Sequence, residues 1–240
     1  MLDAKDHTFY DELWKGWNDM HYYSPAPRMR RNKIISMLKK KSIKSLLDVG
    51  CGNGEFLKDV RDLIGDVALA GADISPYVIE SNRKRFKDME FYRLNLNDET
   101  LPQKFDVVTC MEVVEHCSDY KDSIRRLSEM TAGELIITVP CGPVFEIDRR
   151  VGHTVHFSAK MIQDAIEKAG LRVRNIQCWG FPFFNMYKHA INISPNKMTE
   201  SFMSEKPYTW KQRILADTVY SIFKVCLPWG GYQLFAEAQR

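Results

Sequence analysis

Seven residues, Asp48-Val49-Gly50-Cys51-Gly52-Asn53-Gly54, stand where a short apolar run gives way to an amphipathic one. Glycines at such a junction let the backbone turn tightly and approach a ligand closely, and the helix that follows offers unpaired N–H groups at its start. The spacing is GxGxG rather than the GxGxxG dinucleotide fingerprint, and no GxxxxGK[ST] phosphate loop occurs. The pattern suits a nucleotide-like ligand. Asp73, within GADIS, closes the next apolar run, where a carboxylate can accept both hydroxyls of a ribose. Glycine and aspartate in a turn mean little singly; turn, acid and the order of the runs together favour the ligand. A second reactive group is Glu112, Glu115 and His116 in EVVEH, with His153 and His156 in GHTVHFS.

Positioning these residues takes an alternation of strands and helices. SLLDV (45–49), VALAGA (67–72), MEFYRL (89–94), FDVVTC (105–110) and ELIITV (134–139) read as buried strands. Between them, 55–64, 76–86 and 119–130 read as helices, the second capped by Ser75 with Pro76 in its first turn and the third capped by Ser118. A further helix over 158–170 starts at Ser158 and stops at Gly170, and LRVRNIQCW (171–179) makes a sixth strand. GYQLFAEAQ (231–239) makes a seventh, antiparallel to the sixth. Strict alternation implies an α/β fold with a mostly parallel sheet, helices on both faces and ligands at the carboxyl ends of the strands.

The chain has 240 residues, 45% hydrophobic and 27% charged, which fits one large domain or a domain with an elaboration. A formal charge of +3 is too small for a dedicated nucleic-acid binder, so nucleic acid is not the expected partner. Six cysteines without a CxxC pair read as reduced thiols in a cytoplasmic protein, and no apolar run approaches the ~18 to 20 residues of a membrane span. Basic clusters at Lys39 to Lys41 and Arg83 to Arg85 read as solvated helix ends. Aromatic residues reach 12% and gather toward the two ends.

LLDVGCGNGEF, GADIS and FDVVTCMEVVEH together resemble motif I, the ribose-binding acid and the fourth-strand motif of the class I S-adenosylmethionine-dependent methyltransferases. EVVEH and GHTVHFSAKMIQDAIEKAGL are most similar to the small-molecule group that includes the ubiquinone-type O-methyltransferases. The resemblance covers about residues 45–178 and implies a Rossmann-like, seven-stranded fold binding S-adenosylmethionine and releasing S-adenosylhomocysteine. It implies that Asp48, Gly50, Cys51, Gly52 and Gly54 surround the methionine moiety and that Asp73 and Ile74 meet the ribose. Asn95 falls where the family usually has an Asp beside adenine, Leu96 offers a backbone N–H to the ring, and Cys110 and Met111 lie near the methionine amine. Asn97 and Asp98 are alternatives to Asn95.

The implied reaction is O-methylation of a small-molecule acceptor. Methyl transfer needs an acceptor atom held in line, and a hydroxyl acceptor gains ~100- to 10,000-fold from a base. His153 is the first candidate base and His116 the second, with Glu112 beside them; each histidine could equally serve capping or packing. Other readings are N-methylation of an amine and a cofactor-binding protein without catalysis. A fourth is metal-assisted RNA 2′-O-methylation, because Glu112, Glu115, His116 and His153 resemble the metal site of the small-RNA 3′-terminal 2′-O-methyltransferases; without that set, no metal is expected.

The flanks are expected to select the acceptor. Residues 1–44 read as a helical cap in which Phe9, Tyr10, Leu13, Trp14 and Trp17 recur at helical spacing, followed by Tyr22 and Tyr23. The core is 45–179 with 230–240, and 180–229 reads as a helical insertion or lid carrying Phe183 and Tyr187. Tyr10, Trp14, Tyr22, Tyr23, His156, Phe183 and Tyr187 are the candidate substrate contacts, a wall suited to an apolar or ring-containing guest. The run Trp210 to Leu227 is amphipathic enough to lie on a membrane surface. No pattern points to a particular oligomeric state.

Overall fold

The computed structural model describes residues 7–16, 18–153, 155–202 and 207–240. Three helices, α1 (His7–Gly16), α2 (Asn18–Tyr23) and α3 (Pro25–Leu38), precede the sheet. β1 (Ser45–Val49), α4 (Glu55–Ile64), β2 (Ala68–Asp73), α5 (Pro76–Arg85), β3 (Glu90–Arg93), β4 (Phe105–Met111), α6 (Tyr120–Glu129) and β5 (Thr131–Pro140) alternate as expected, with a 3₁₀ turn at Val114–His116. Then follow α7 (Glu146–Arg150), α8 (Ala159–Lys168), β6 (Arg172–Trp179), α9 (Phe183–Ile191), α10 (Pro195–Phe202), α11 (Trp210–Phe223) and β7 (Gln233–Gln239).

The strand order is β3-β2-β1-β4-β5-β7-β6. The first five strands are parallel, and β7 runs antiparallel to both neighbours, with Pro140 opposite Gln233 and Trp179 opposite the same residue on the other side. The order reverses between β1 and β4, so the carboxyl ends of those two strands flank the crevice where such folds bind ligands. Apolar residues bury both faces: Leu47, Val49, Val108, Ile137 and Leu234 belong to one core, and Leu46, Val107, Ile136 and Phe235 to the other. Period-two alternation along the strands sends successive side chains to opposite cores.

Two expectations need correcting. Asp119, not Ser118, caps α6: its Oδ1 accepts from Lys121 N at 2.9 Å and Asp122 N at 3.3 Å, whereas Ser118 is drawn to Asn97 Oδ1. The basic clusters are not merely solvated. Arg85 pairs with the buried Glu55 at 2.6 Å, Arg83 Nε donates to Phe91 O at 3.1 Å, and Lys41 pairs with Glu134 and Glu237. Trp17 lies outside the described residues, as do the side chains of Phe9 and Leu13.

Candidate functional site

The turn after β1 is built on left-handed backbone: Gly50, Gly52 and Gly54 have φ of 76°, 49° and 77°. Glycine is also needed for clearance, since a Cβ at Gly50 would lie 2.1 Å from Val113 Cγ2 and one at Gly52 would lie 2.1 Å from the Trp14 ring. The turn is tied to β2, where Gly50 N and Cys51 N donate to Ala72 O at 2.7 and 3.0 Å. Asp73 continues that tie: one carboxylate oxygen accepts Gly52 N and the other accepts Ser75 N, each at 3.0 Å. Burial raises the pKa of the Asp73 carboxyl, against the backbone donors of Ser75, Gly52 and Ile74, which lower it. Asp48 is fully buried and accepts Thr109 Oγ1 at 2.7 Å; desolvation pushes its carboxyl up to about 7.

One cavity of about 400 Å³ runs along the carboxyl ends of the strands and gathers most of the expected residues. Asp48, Gly50, Cys51, Asp73, Ile74, Asn95, Leu96 and Met111 line one stretch of it, Tyr10 and Trp14 cover it, and Glu112, His116, His153 and Tyr187 line the remainder. Gly52 and Gly54 shape the turn from behind, and Cys110 is wholly in the core. Asn95 and Asn97 both reach the cavity, with Asn95 Oδ1 accepting Asn97 N at 3.1 Å, while Asp98 stands back, bonded to Asn95.

Among the expected substrate contacts, Tyr22, Tyr23, His156 and Phe183 are not on the cavity wall. Tyr22 is 50% exposed, and Tyr23 stacks on Tyr208 with Arg213 over its ring. Phe183 is exposed on the outer side of α9, because it is the neighbouring Phe184 that turns inward. His156 sits behind the wall, with Nδ1 3.3 Å from Gly142 O.

Glu112 occupies a left-handed backbone conformation, φ 56°, unusual for a residue with a side chain. Its Oε1 accepts from Thr138 Oγ1 at 3.0 Å and from Gln233 Nε2 at 2.8 Å, and Oε2 lies 3.6 Å from Arg30. Gln233, fully buried at the start of β7, also donates to Val139 O and accepts from Arg30 at 3.2 Å. The network joins α3, β4, β5 and β7 at the cavity. Sequence reasoning missed Gln233 and Arg30, and also Lys188 and His21, all of which reach the wall. The only local signal was the density of arginine in PAPRMRRNK.

The histidines form a separate knot. His116 Nδ1 lies 3.3 Å from Gly152 O, and its ring meets Tyr10 edge-on at 5.9 Å and His153 at 4.9 Å. His153 Nε2 is 3.8 Å from Glu115 Oε1, and its Nδ1 is 3.5 Å from His156 Nε2 and 4.0 Å from Asp148. Lys188 pairs with Asp148. Burial, then the neighbouring His116 and Lys188, lowers His153 to about 2; burial also lowers His116 and raises Glu115. Donor atoms of Glu115, His116 and His153 lie within 4.8 Å of one another, as do those of Asp148, His153 and His156. Glu112, one of the four residues of the metal alternative read from sequence, is in neither set: its carboxylate is turned instead to Thr138, Gln233 and Arg30.

Residues 47–133 match the family model of a methyltransferase domain. The chain is 31% identical over 109 residues to the malonyl-[acyl-carrier protein] O-methyltransferase of Acetivibrio thermocellus, covering 44% of this chain and 38% of that one. It is 32% identical over 153 residues to the mitochondrial ubiquinone biosynthesis O-methyltransferase of Schizosaccharomyces pombe, covering 57% and 54%. The chain thus spans about half the length, or less, of these curated relatives. Among solved structures it resembles a chain of the complex between the Haloferax volcanii Trm112 methyltransferase activator and a methyltransferase, with TM-score 0.64, 17% identity, and coverage of 99% and 97%.

Proposed function

We propose that this chain is a class I S-adenosylmethionine-dependent methyltransferase and that it methylates a hydroxyl oxygen of a small-molecule acceptor. The observation that carries the proposal is a neutral histidine pair beside the crevice. His116 and His153 share one cavity with the glycine turn and Asp73, and both are held neutral by burial.

The residues present fit the cofactor. Asp73 is buried at the cavity wall, where the backbone N–H groups of Gly52, Ser75 and Ile74 hold its carboxylate and leave acceptor capacity for a ribose hydroxyl. The glycine turn keeps Cβ atoms out of the space in front of it. S-adenosylmethionine supplies an electrophilic methyl group when bound. Asn95 and the Leu96 backbone are the candidates to meet the adenine, and Cys51, Ile74 and Met111 flank the path between.

His116 is the better placed base of the two. Donation from its Nδ1–H to Gly152 O leaves the Nε2 lone pair free to take a hydroxyl proton. His153, lowered to about 2, is a weaker acceptor, and in this reading it orients His116 by edge-on contact. Glu112, held by Thr138, Gln233 and Arg30, fixes the polar side of the acceptor space, while Tyr187, Phe184, Ile147 and Ile191 make it apolar. Residues 1–44 and 180–229 act as covers that select the acceptor, through Tyr10 and Trp14 on one side and Tyr187 on the other. Among the described residues no helix is long and apolar enough to cross a membrane, and all six cysteines are free, which is compatible with the cytoplasm.

The test is incubation with methyl-labelled cofactor and fractionated metabolite extracts, with the labelled product located by mass spectrometry. Label on an ether oxygen, and a loss of ~100- to 10,000-fold in kcat in His116→Ala, are expected. Label on nitrogen or on a carboxyl oxygen, or unchanged turnover in His116→Ala and His153→Ala alike, would overturn the reading.

A further inference from the structure

α11 turns one side to the domain and leaves an apolar sector in solvent. Ala216 and Phe223 are buried and Tyr220 hydrogen-bonds Asn32 of α3, whereas Trp210, Ile214, Leu215 and Ile222 are exposed on other sides of the same helix. The sector continues past the helix end through Val225 and Trp229, which are 66% and 61% exposed. Phe181 stacks on Trp229 at 5.9 Å and is itself exposed, so the tip is a joined aromatic surface rather than scattered side chains. Soluble surfaces rarely carry a contiguous patch of this kind without a partner.

The charges around the sector are mostly basic. Asp217 is the only acid on α11, and Arg28 holds it at 2.6 Å. Lys211 and Lys224 flank the sector, lying 5.5 and 4.9 Å from the rings of Trp210 and Tyr220. Beside it, a groove between α3 and α11 is lined by Lys33, Lys40 and Lys224 and by no carboxylate. Burial lowers the pKa of Lys33, the cost of a cation kept in a partly dry place.

We propose that this face docks on an anionic lipid surface, with α11 lying in the plane of the interface, Trp210, Ile222, Val225 and Trp229 entering the headgroup region, and Lys33, Lys40, Lys211 and Lys224 meeting the acidic headgroups. Trp210 at the start of a helix about 21 Å long and Trp229 in the loop beyond its end match the interfacial preference of that side chain. A second copy of the chain is the poorer occupant, because a two-fold interface on this sector would bring Lys211 and Lys224 against their own copies. The inference does not rest on the methyl acceptor, since the surface lies outside the cavity and its test needs no turnover.

The experiment is flotation of the full chain with unilamellar vesicles of neutral phosphatidylcholine, with and without phosphatidylglycerol, read together with Trp emission. Binding to the anionic vesicles, a blue shift, and weakening by high salt are expected. Lys211→Glu/Lys224→Glu and Trp210→Ser/Ile222→Ser should each weaken binding at least about tenfold, with melting temperatures near that of the native chain as the folding control. Failure to float with anionic vesicles, equal binding to neutral ones, or native-like binding of both double variants would overturn the proposal. So would a concentration-dependent dimer that loses the blue shift only when Trp210 is replaced.

Discussion

Replacing Asp73 tests the cofactor end of the crevice most directly. Each of its two oxygens already accepts a backbone N–H at 3.0 Å, so the side chain closes the glycine turn, and in the proposed site it also faces the ribose. A hydrogen bond to a charged acceptor is worth ~1.5–3 kcal/mol, so Asp73→Ala, which removes both ribose contacts, should weaken S-adenosylmethionine and S-adenosylhomocysteine binding by ~100- to 10,000-fold. Asp73→Asn keeps one acceptor and should lose ~10- to 100-fold. It also points an amide N–H at Gly52 N or Ser75 N, so the melting temperature should fall even without ligand. Burial raises the pKa of this carboxyl, so cofactor affinity should begin to fall with decreasing pH at a higher pH than for an ordinary aspartate. Titration calorimetry at several pH values, with a thermal melt of each variant, reads all of these. An Asp73→Ala protein that binds S-adenosylhomocysteine within about twofold of the native chain would refute the assignment.

Other consequences are as specific. Gly52→Ala places a Cβ 2.1 Å from the Trp14 ring on a backbone with φ 49°, so it should displace α1 and weaken cofactor binding, and Trp14→Ala in the same chain should restore part of it, measured by calorimetry. Gln233→Leu deprives Glu112 of a donor at 2.8 Å and should cost ~1–3 kcal/mol in chemical denaturation. His153, at about 2 in the folded chain and 6.5 otherwise, binds its proton only in the unfolded state between those values. It therefore destabilises the fold progressively as pH falls below 6.5, by up to ~1.4 kcal/mol per pH unit, and His153→Phe should flatten the acid limb of the stability profile. Methylation that survives EDTA, with no metal found by elemental analysis, is expected if the His116 reading holds; loss that Mg²⁺, Mn²⁺ or Zn²⁺ restores would instead assign Glu115, His116 and His153 to an ion.

The parts legible in the sequence are those whose physics is local. α4 spans the expected 55–64 because the glycine turn starts it and Gly65 ends it, and the period-two strands fall within a few residues of their expected bounds. Ser75 and Ser158 cap their helices as read, since their hydroxyls accept Val78 N and Met161 N. Ser118 failed as a cap because a residue far along the chain, Asn97, competes for it. Gln233 and Arg30 were invisible for the same reason: neither neighbours Glu112 in sequence, and only sheet register and the packing of α3 bring them together. The aromatic flanks were visible as composition but not as orientation, which is why Tyr10, Trp14 and Tyr187 reached the cavity while Tyr22, Tyr23 and Phe183 did not.

β7 follows β6 in the chain yet lies between β5 and β6. Without it, β6 has no partner strand and β5 presents a bare edge, with Ile136, Ile137 and Val139 uncovered. Because Gln233 comes in with that strand, the clamp on Glu112 closes at the same moment as the sheet. The polar clamp on Glu112 is thus tied to the pairing of β7, and a chain in which that strand is unpaired would carry the glycine turn but not the Glu112 clamp.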